Sequence, residues 1–352
     1  MPAAPRYLVI RRRYLGDLVL LGAVFRNLRR HAPRTHITLL AEHAYAAVGN
    51  LHPDVNRTLA FPRRFTAWPA FLRQLRRAGF THVLDFDNTD KTALVTRITG
   101  AAVRLTYDRE TNPFRQRWAY TGAAQVTNLF YTTQHITETY LELIRAMAVP
   151  VVTRDICLEP GPADFEAAFR IVGRPETQPS NRPKRLLVHP GSRSRFRLWP
   201  PANFAQVCDR LQDELGVQIY LVAGPGEAAV VREIRAAAQA HLIVLEQRFS
   251  IGAFAALAAQ FDLCLCHDSG PMHIAAGVGT PVVALFGSQN AAIWRPVGAG
   301  HTVLQTTLPC TCLPDPPTPC VREDSYRSYC VRKLSVDQVY AALHDRLLSA
   351  SR

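Results

Sequence analysis

The 352-residue sequence predicts an α/β protein built from two doubly wound parallel sheets. Its length exceeds that of a single domain, which usually has about 100–150 residues. Short apolar runs alternate with helical stretches in each half, as in parallel sheets that are covered on both faces. A polar, Pro-rich segment at 173–183 separates the halves. We therefore expect two Rossmann-like domains, 1–175 and 183–352, that face a central cleft and use this segment as a hinge.

The first half contains four short apolar runs with the length and the branched residues of buried strands. Helical patterns cover 17–30 and 68–77, whereas 108–133 is polar and aromatic without a clear period. We predict a long loop or lid for 108–133. The predicted strands are Tyr7–Ile10, His36–Ala41, Arg57–Phe61 and His82–Phe86.

The alternation restarts after the polar segment. Ligands of open α/β sheets bind outside the carboxyl ends of the strands, so the residues that follow each strand are the candidate sites. We allow the last helix to pack back toward the first domain. The predicted strands are Arg185–His189, Val217–Ala223, Leu242–Leu245, Leu263–Cys266 and Pro281–Leu285, and the predicted helices are 201–215, 227–240, 250–260, 270–278 and 335–349.

The composition excludes two classes of protein. With 48% hydrophobic and 20% charged residues, the chain is not of the disordered type. We find no uninterrupted apolar run near the roughly 20 residues that a bilayer span needs. We therefore expect a soluble, cytoplasmic protein.

Positive charge is concentrated in the first half. The chain has 41 Lys and Arg against 28 Asp and Glu, and residues 1–150 hold 21 of the former but only 10 of the latter. This asymmetry indicates an acidic partner, and it leaves nucleic acid, an anionic membrane surface and an acidic substrate open. The basic candidates are Arg11, Arg12, Arg13, Arg63, Arg64, Arg73, Arg76 and Arg77.

A Gly-Asp pair stands where the first predicted strand meets the first helix. Gly16 permits a tight turn, and Asp17 follows it at the helix start. Aspartate is favoured as an N-cap because it satisfies free backbone N–H groups. Asp17 is therefore either an N-cap or a catalytic carboxylate.

The loop 189–200 follows the first strand of the second half and is rich in small and basic residues. Small residues let backbone N–H groups approach an anion, and arginines supply charge. The Gly-Lys-Ser/Thr signature of a P-loop is absent. The loop is either an anion site or a solvated basic loop. Its candidate residues are Gly191, Ser192, Arg193, Ser194, Arg195 and Arg197.

The segment Val222–Glu227 ends a predicted strand and begins a helix. It is similar to a dinucleotide fingerprint, but Ala229 occupies the place of the last glycine. A carboxylate at such a strand end commonly pairs with ribose hydroxyls. Glu227 is either that carboxylate or a first-turn acid that stabilises the helix dipole.

The segment His267–His273 is the most informative part of the sequence. A buried strand leads directly into Asp268, Ser269 and Gly270, and a helix follows. The N–H groups and the positive dipole of that helix would suit a diphosphate. A metal site lacks a third ligand at a recognisable spacing, and a serine hydrolase lacks the G-x-S-x-G elbow.

The cysteines form two groups. Apolar surroundings predict that Cys157, Cys208, Cys264 and Cys266 are core residues. Four others lie close together in a Pro-rich stretch, where zinc is conceivable although paired C-x2-C knuckles are absent. Disulfides are not expected in a reducing cytoplasm. The late group is Cys310, Cys312, Cys320 and Cys330.

Taken together, these segments resemble the ADP-heptose:lipopolysaccharide heptosyltransferase family, whose members have the GT-B fold. The matching segments occur in family order and span nearly the whole chain. They are Tyr14–Val19, His189–Ser192, Leu198–Pro201, Gly224–Glu227, Asp268–His273 and Gly279–Gly287.

The resemblance implies an inverting transfer of heptose from ADP-heptose to the lipopolysaccharide inner core, with neither a metal nor a cofactor. Asp17 matches the general base of the family, which takes the proton of the acceptor hydroxyl. The remaining family positions concern the donor. Ser192, Ser269 and Gly270 match diphosphate contacts; Arg197, with Arg195 as a competitor, matches a cationic position; Glu227 and Phe249 match ribose and adenine contacts; Asp268 and His273 match donor-positioning residues.

The acceptor that the resemblance implies is an anionic glycolipid at the cytoplasmic face of the inner membrane, which suits the basic first half. We expect Arg63, Arg64 and Lys91 to bind it, and 85–91 and 108–133 to shape acceptor choice. Three alternatives stay open: a GT-B transferase with another nucleotide-sugar donor, a basic nucleic-acid-binding protein, and a catalytically silent scaffold. The second lacks a helix-turn-helix, RRM or zinc-finger signature, so we expect no nucleic acid partner.

Overall fold

The chain divides into two compact units, 1–159 and 160–352. The computed structural model describes residues 4–174, 182–194, 197–224, 226–307 and 330–349. The unit boundary precedes the one expected at 175, because the helix Pro162–Val172 packs against the helix Ile251–Ala258 of the second unit. Residues 175–181 of the expected hinge lie outside the described residues.

The first unit holds one parallel sheet, to which six strands of the described residues belong. They are β1 (Arg6–Ile10), β2 (His36–Ala41), β3 (Arg57–Ala60), β4 (His82–Asp85), β5 (Val103–Arg109) and β6 (Gly122–Val126). Their order across the sheet is β3-β2-β1-β4-β5-β6. The chain begins at the centre and moves outward to both edges, as a doubly wound sheet does.

Helices connect these strands. The predicted helix 17–30 is present as two helices that meet at Leu21. The predicted loop 108–133 is wrong, because it contains β6 and a further helix. The helices of the first unit are α1 (Leu15–Leu20), α2 (Gly22–His31), α3 (Trp68–Arg77), α4 (Asp90–Thr99), α5 (Asn128–Thr133) and α6 (Ile136–Arg145).

The second unit repeats this architecture. The strands assigned in its described ranges are β7 (Arg185–His189), β8 (Gln218–Val222), β9 (Leu242–Leu245), β10 (Leu263–His267), β11 (Val282–Phe286) and β12 (Thr302–Gln305), in the order β12-β11-β10-β7-β8-β9. The helices are α7 (Pro162–Val172), α8 (Pro201–Leu215), α9 (Ala228–Ala237), α10 (Ile251–Ala258), α11 (Gly270–Gly277), α12 (Ala291–Trp294) and α13 (Val336–Ser349). Two doubly wound parallel sheets confirm the predicted fold class.

The last helix belongs to the core of the second unit. Val339 and Leu343 of α13 are buried there, and α13 packs against α8. Trp199 is also fully buried, and its indole N–H donates to the Leu334 carbonyl at 2.9 Å. The chain segment before α13 is therefore tied to the loop that follows β7.

Burial agrees with most of the predicted core cysteines. Cys208, Cys264 and Cys266 are fully buried, whereas Cys157 is only half-buried. No helix in the described part of the chain combines the length and the apolar character that crossing a bilayer requires.

Candidate active site

Asp17 lies in the first turn of α1, just beyond the carboxyl end of the central strand β1. Tyr14 is the N-cap residue of α1, so the N-cap interpretation of Asp17 is wrong. The Asp17 carboxylate instead accepts the Tyr14 N–H, with 2.9 Å between Oδ2 and N. This contact closes the first turn as the third helical residue of a capping box does.

Two side chains hold the other oxygen of Asp17. Asp17 Oδ1 is 2.5 Å from Arg11 Nη2 and 2.5 Å from the Tyr140 hydroxyl oxygen. Burial works to lower the pKa of Arg11, but Tyr140, Asp17 and Asp87 outweigh it and raise that pKa. Arg11 therefore stays charged and is a largely buried partner of Asp17 rather than a surface cation.

Two further carboxylates follow β4. Asp87 Oδ1 is 3.3 Å from Arg11 Nη1, and Asp87 Oδ2 accepts the Arg12 N–H at 2.6 Å. Burial raises the pKa of Asp87 to about 6, although the Arg11 charge opposes this shift. Asp85 is fully buried, and burial raises its pKa as well. We call Asp17, Arg11, Tyr140 and Asp87 the Asp17 cluster.

The expected acceptor-binding residues follow the carboxyl ends of β3 and β4. Lys91 Nζ is 3.1 Å from Glu42 Oε1 and 4.3 Å from the centroid of the Phe61 ring. Arg63 and Arg64 are exposed, and neither forms an ion pair within the described ranges. Acceptor binding by these three residues stays a prediction.

Other basic candidates lie elsewhere in the first unit. Arg73 and Arg77 line a groove with Arg6 and Arg57, which are the first residues of β1 and β3. This groove is at the amino ends of the strands, whereas Asp17 follows a carboxyl end. The structure therefore separates these arginines from the Asp17 cluster.

In the second unit, β10 leads into the N-terminus of α11, as predicted. Ser269 is the N-cap residue of α11 with extended backbone, and Gly270 is the first helical residue. The Ser269 side chain makes no cap hydrogen bond, and its buried Oγ has no hydrogen-bond partner among the described residues. A buried hydroxyl without a partner is unfavourable, so this position suits a ligand that supplies an acceptor.

Asp268 and Arg197 form an ion pair beside this helix. Arg197 Nη1 is 3.3 Å from Asp268 Oδ2. Burial raises the pKa of Asp268 to about 6, against the opposing charge of Arg197. Arg195, the competitor for the cationic role, lies outside the described residues.

Glu227 is folded onto two glycines. Its Oε2 accepts the Gly224 N–H at 2.8 Å and is 3.5 Å from His189 Nε2. A Cβ at Gly191 would lie 1.9 Å from the same oxygen, so a larger residue there would displace the Glu227 carboxylate. Glu227 is the residue that precedes α9, and its side chain makes no cap hydrogen bond. It therefore does not act as the first-turn acid.

The remaining donor candidates lie near the same strand ends. Ser192, with Glu227, lines a cavity of about 410 Å³. His273 is buried on α11. Phe249 is half-buried and directly precedes Ser250, which caps α10. No contact of these residues with a donor is established, so their roles stay predictions.

Metal ligands are not grouped in the described part of the chain, where no set of three or more His, Cys, Asp or Glu side chains could hold an ion. Cys330 is buried. Cys310, Cys312 and Cys320 lie outside the described residues.

Sequence reasoning missed Tyr140 and placed Arg11 among the general basic candidates. Tyr140 lies on α6 and is 123 positions from Asp17, and an aromatic residue at helical spacing indicates core packing. Arg11 had a weak local signal, because it directly follows the first strand and is six positions before Asp17. The partners of Asp17 depend on tertiary packing that the local pattern does not encode.

Two doubly wound parallel sheets in one chain, each with polar side chains beyond its strand ends, are the architecture of the GT-B fold. The family model of glycosyltransferase family 9 (heptosyltransferase) matches residues 68–321. The chain belongs to this family and is therefore a glycosyltransferase of the heptosyltransferase group. The resemblance in the sequence motifs is confirmed.

Known proteins agree with this assignment. The chain is 22% identical to lipopolysaccharide heptosyltransferase 3 of Escherichia coli over 297 residues, which are 81% of this chain and 84% of that protein. A family 9 glycosyltransferase of Veillonella parvula has a TM-score of 0.84 and 22% identity over 99% of both chains. ADP-heptose lipopolysaccharide heptosyltransferase II of E. coli has a TM-score of 0.77 and 19% identity over 99% of this chain and 100% of that one. The structural likeness confirms the fold.

Proposed function

We propose that this chain transfers L-glycero-D-manno-heptose from ADP-heptose to the inner core of lipopolysaccharide, with inversion and without a metal ion. Family membership supports heptosyl transfer, and the names of the relatives supply the ADP-sugar and the lipopolysaccharide acceptor. The observation that carries the proposal is the buried Asp17 carboxylate just beyond the end of β1, and the sequence resemblance matches this residue to the family's general base.

Asp17 is the general base in this proposal. The acceptor oxygen forms a bond to the anomeric carbon of the heptose, while the bond between that carbon and the diphosphate oxygen breaks. The hydroxyl proton passes to the Asp17 carboxylate, and ADP leaves with the bonding electron pair. A sugar hydroxyl is not ionised at neutral pH, so a positioned base accelerates its attack.

Negative charge develops on the diphosphate as it leaves. The N-terminus of α11, with the N-cap Ser269 and with Gly270, offers backbone N–H groups and a positive dipole to that charge. Arg197 adds a cation, with Arg195 as the alternative, and Ser192 adds a hydroxyl. Such fixed donors can replace a divalent ion.

The remaining donor residues recognise the nucleoside and orient the sugar. Glu227 has its carboxylate at the end of β8, where it would accept from the ribose hydroxyls. Phe249 would pack against adenine. Asp268 and His273, on either side of the α11 N-terminus, would position the donor rather than transfer a proton.

The acceptor approaches the carboxyl ends of the first sheet in this proposal. Arg63, Arg64 and Lys91 would bind its phosphate and carboxylate groups. Phe65, next to the two arginines, has 89% of its surface exposed. An apolar ring beside two cations suits peripheral contact with the anionic cytoplasmic face of the inner membrane.

The test is transfer from ADP-heptose to defined truncated core acceptors. Asp17→Asn keeps the size of the side chain but removes the base, so we expect turnover to fall at least about 100-fold. Affinity for ADP, measured by calorimetry, should stay unchanged. Asp337→Asn is the matched control, because Asp337 is exposed on α13.

Two results would contradict the proposal. Wild-type turnover in Asp17→Asn removes Asp17 from the mechanism. Thermal stabilisation of the wild type by UDP or GDP, but not by ADP, assigns the chain to a GT-B transferase with another donor.

A further inference from the structure

The two oxygens of the Asp17 carboxylate are not equivalent. Oδ1 accepts from Arg11 Nη2 and from the Tyr140 hydroxyl, each at 2.5 Å. Oδ2 accepts one hydrogen bond, from the Tyr14 N–H at 2.9 Å. A carboxylate oxygen has about two lone-pair directions. Oδ1 is therefore saturated, whereas Oδ2 keeps one acceptor direction open.

We propose that Tyr140 and Arg11 are positioning residues that occupy Asp17 Oδ1 and thereby leave Oδ2 as the oxygen that receives the proton of the acceptor hydroxyl. This inference rests on the proposed function, in which Asp17 is the general base. It adds which atom of the base reacts and which side chains select that atom.

Tyr140 is held rigidly enough to do this. It is 2% exposed, and its ring packs edge-on against Phe86 with 5.7 Å between the ring centroids. Burial, followed by the charge of Asp17, raises the pKa of Tyr140 well above its ordinary value. The hydroxyl therefore stays protonated and donates to the carboxylate.

Arg11 is fixed on its other side. Its Nη1 donates to the Phe86 carbonyl at 2.7 Å and is 3.3 Å from Asp87 Oδ1. Arg11 thus shares its charge between two carboxylates, so it orients Asp17 without fully neutralising it. Tyr107 on β5 also interacts electrostatically with Arg11, and Arg12 after β1 and Asp85 at the end of β4 interact with Asp87.

Fixing one oxygen serves the chemistry, because a base must hold its lone pair along the line of the hydroxyl proton. Without the Tyr140 hydroxyl, Oδ1 has an open direction and the carboxylate can turn about its χ2 angle. Some orientations are then unproductive. The ionised carboxylate also loses one stabilising donor.

Tyr140→Phe tests the inference, because it keeps the ring against Phe86 and removes only the hydroxyl. We expect kcat to fall about tenfold with an unchanged KM for ADP-heptose. The acid limb of the kcat–pH profile should move to higher pH. A purely structural role would not shift that limb.

Tyr107→Phe is the matched control. The Tyr107 hydroxyl is also buried, but it donates to the Thr139 carbonyl at 2.9 Å instead of to Asp17. We expect both variants to lose similar thermal stability, with Tyr107→Phe retaining kcat within about twofold. Equal kcat values and equal pH profiles in the two variants would overturn the inference.

Asp17→Asn, measured alongside, separates this inference from the proposed function. If Asp17→Asn turns over normally, the proposed function itself is wrong. If Asp17→Asn is inactive while Tyr140→Phe behaves like Tyr107→Phe, only the positioning role is wrong. In the double variant that combines Asp17→Asn with Tyr140→Phe, the loss of the Tyr140 hydroxyl should not lower turnover further. Both substitutions act on the Asp17 carboxylate.

Discussion

The two units use the same strand order and place an arginine–aspartate pair at equivalent points. Strands β7 and β10 of the second sheet take the places of β1 and β4 in the first. Arg11 follows β1 and is 3.3 Å from Asp87, which follows β4. Arg197 follows β7 and is 3.3 Å from Asp268, which follows β10. Burial raises the pKa of both aspartates to about 6.

The units differ in what else the arginine contacts. Arg11 has a second carboxylate partner, Asp17, from the first turn of the following helix. The first turn of α8, which follows the Arg197 loop, contains no acidic residue. Asp268 is accordingly the sole carboxylate within salt-bridge distance of Arg197 in the described ranges.

This difference agrees with the two roles that the proposed function gives these sites. Asp17 takes up charge of Arg11 and would be an ordered base. In the described ranges, Arg197 has no second carboxylate partner, so it would keep charge for an external anion. We therefore expect substitutions in the Asp17 cluster to affect turnover and substitutions in the Arg197–Asp268 pair to affect donor affinity.

The largest expected contrast comes from replacing each arginine by lysine. A lysine ammonium cannot reproduce the several directed contacts of the Arg11 fork. We expect Arg11→Lys to lower kcat about 50-fold, or about 2 kcal/mol, with unchanged ADP affinity. Arg197→Lys should lower ADP affinity about fivefold, because a single cationic contact is partly retained.

The measurements are steady-state kinetics for turnover and calorimetry for ADP binding. We expect Arg11→Lys to change turnover but not ADP affinity, and Arg197→Lys to change ADP affinity. If both substitutions reduced ADP affinity by the same factor, the division of labour between the two pairs would be refuted.

The sequence predicted most strands of both sheets, because buried strands are continuous apolar runs. The edge strands β3 and β9 are among those predicted. It missed β5, which lies between β4 and β6, and the edge strands β6 and β12. The segment Gly122–Val126 consists mostly of small residues and has little apolar signal.

The residues of the candidate site also differ in whether a local sequence pattern identifies them. Asp17 and Ser269 each follow a strand closely, so a local pattern of strand, turn and helix identifies them. The partners of Asp17 are not local, since Tyr140 reaches it from a helix that only the folded sheet brings near. The sequence can therefore predict the candidate base but not the side chains that contact it.

A smaller effect, on ADP affinity, is expected from adding one methyl group beside Glu227 in the second unit. Gly191→Ala places a Cβ 1.9 Å from the present position of Glu227 Oε2, so the carboxylate must move. If Glu227 binds the ribose, ADP affinity should fall about 20-fold, the value of one hydrogen bond to a charged group. The Asp17 cluster is untouched, so kcat at saturating donor should change little.

Gly161→Ala is the control for this substitution. Gly161 precedes α7 with an ordinary backbone conformation, and a Cβ there meets no atom closer than 3.8 Å. Calorimetry with ADP should give the wild-type affinity for this control. A Gly191→Ala protein that binds ADP as tightly as Gly161→Ala would remove Glu227 from the donor site.

The smallest expected effect is the pH dependence of ADP affinity, and it tests the Arg197–Asp268 pair directly. The pKa of Asp268 is raised to about 6 in the free protein, so its carboxylate is charged at pH 8 and largely protonated at pH 5. A diphosphate bound beside it disfavours the charged form further, so ADP binding is coupled to proton uptake. Affinity should therefore rise as the pH falls from 8 toward 6.

Asp268→Asn isolates this effect, because ADP itself changes ionisation over the same range in both proteins. We expect the ratio of wild-type to variant affinity to rise about threefold between pH 8 and pH 6 and then to level off. A constant ratio would mean that Asp268 does not sense the diphosphate. Arg197 would then be neutralised by Asp268 as completely as Arg11 is by its partners, and the two sites would not differ in the charge they offer a ligand.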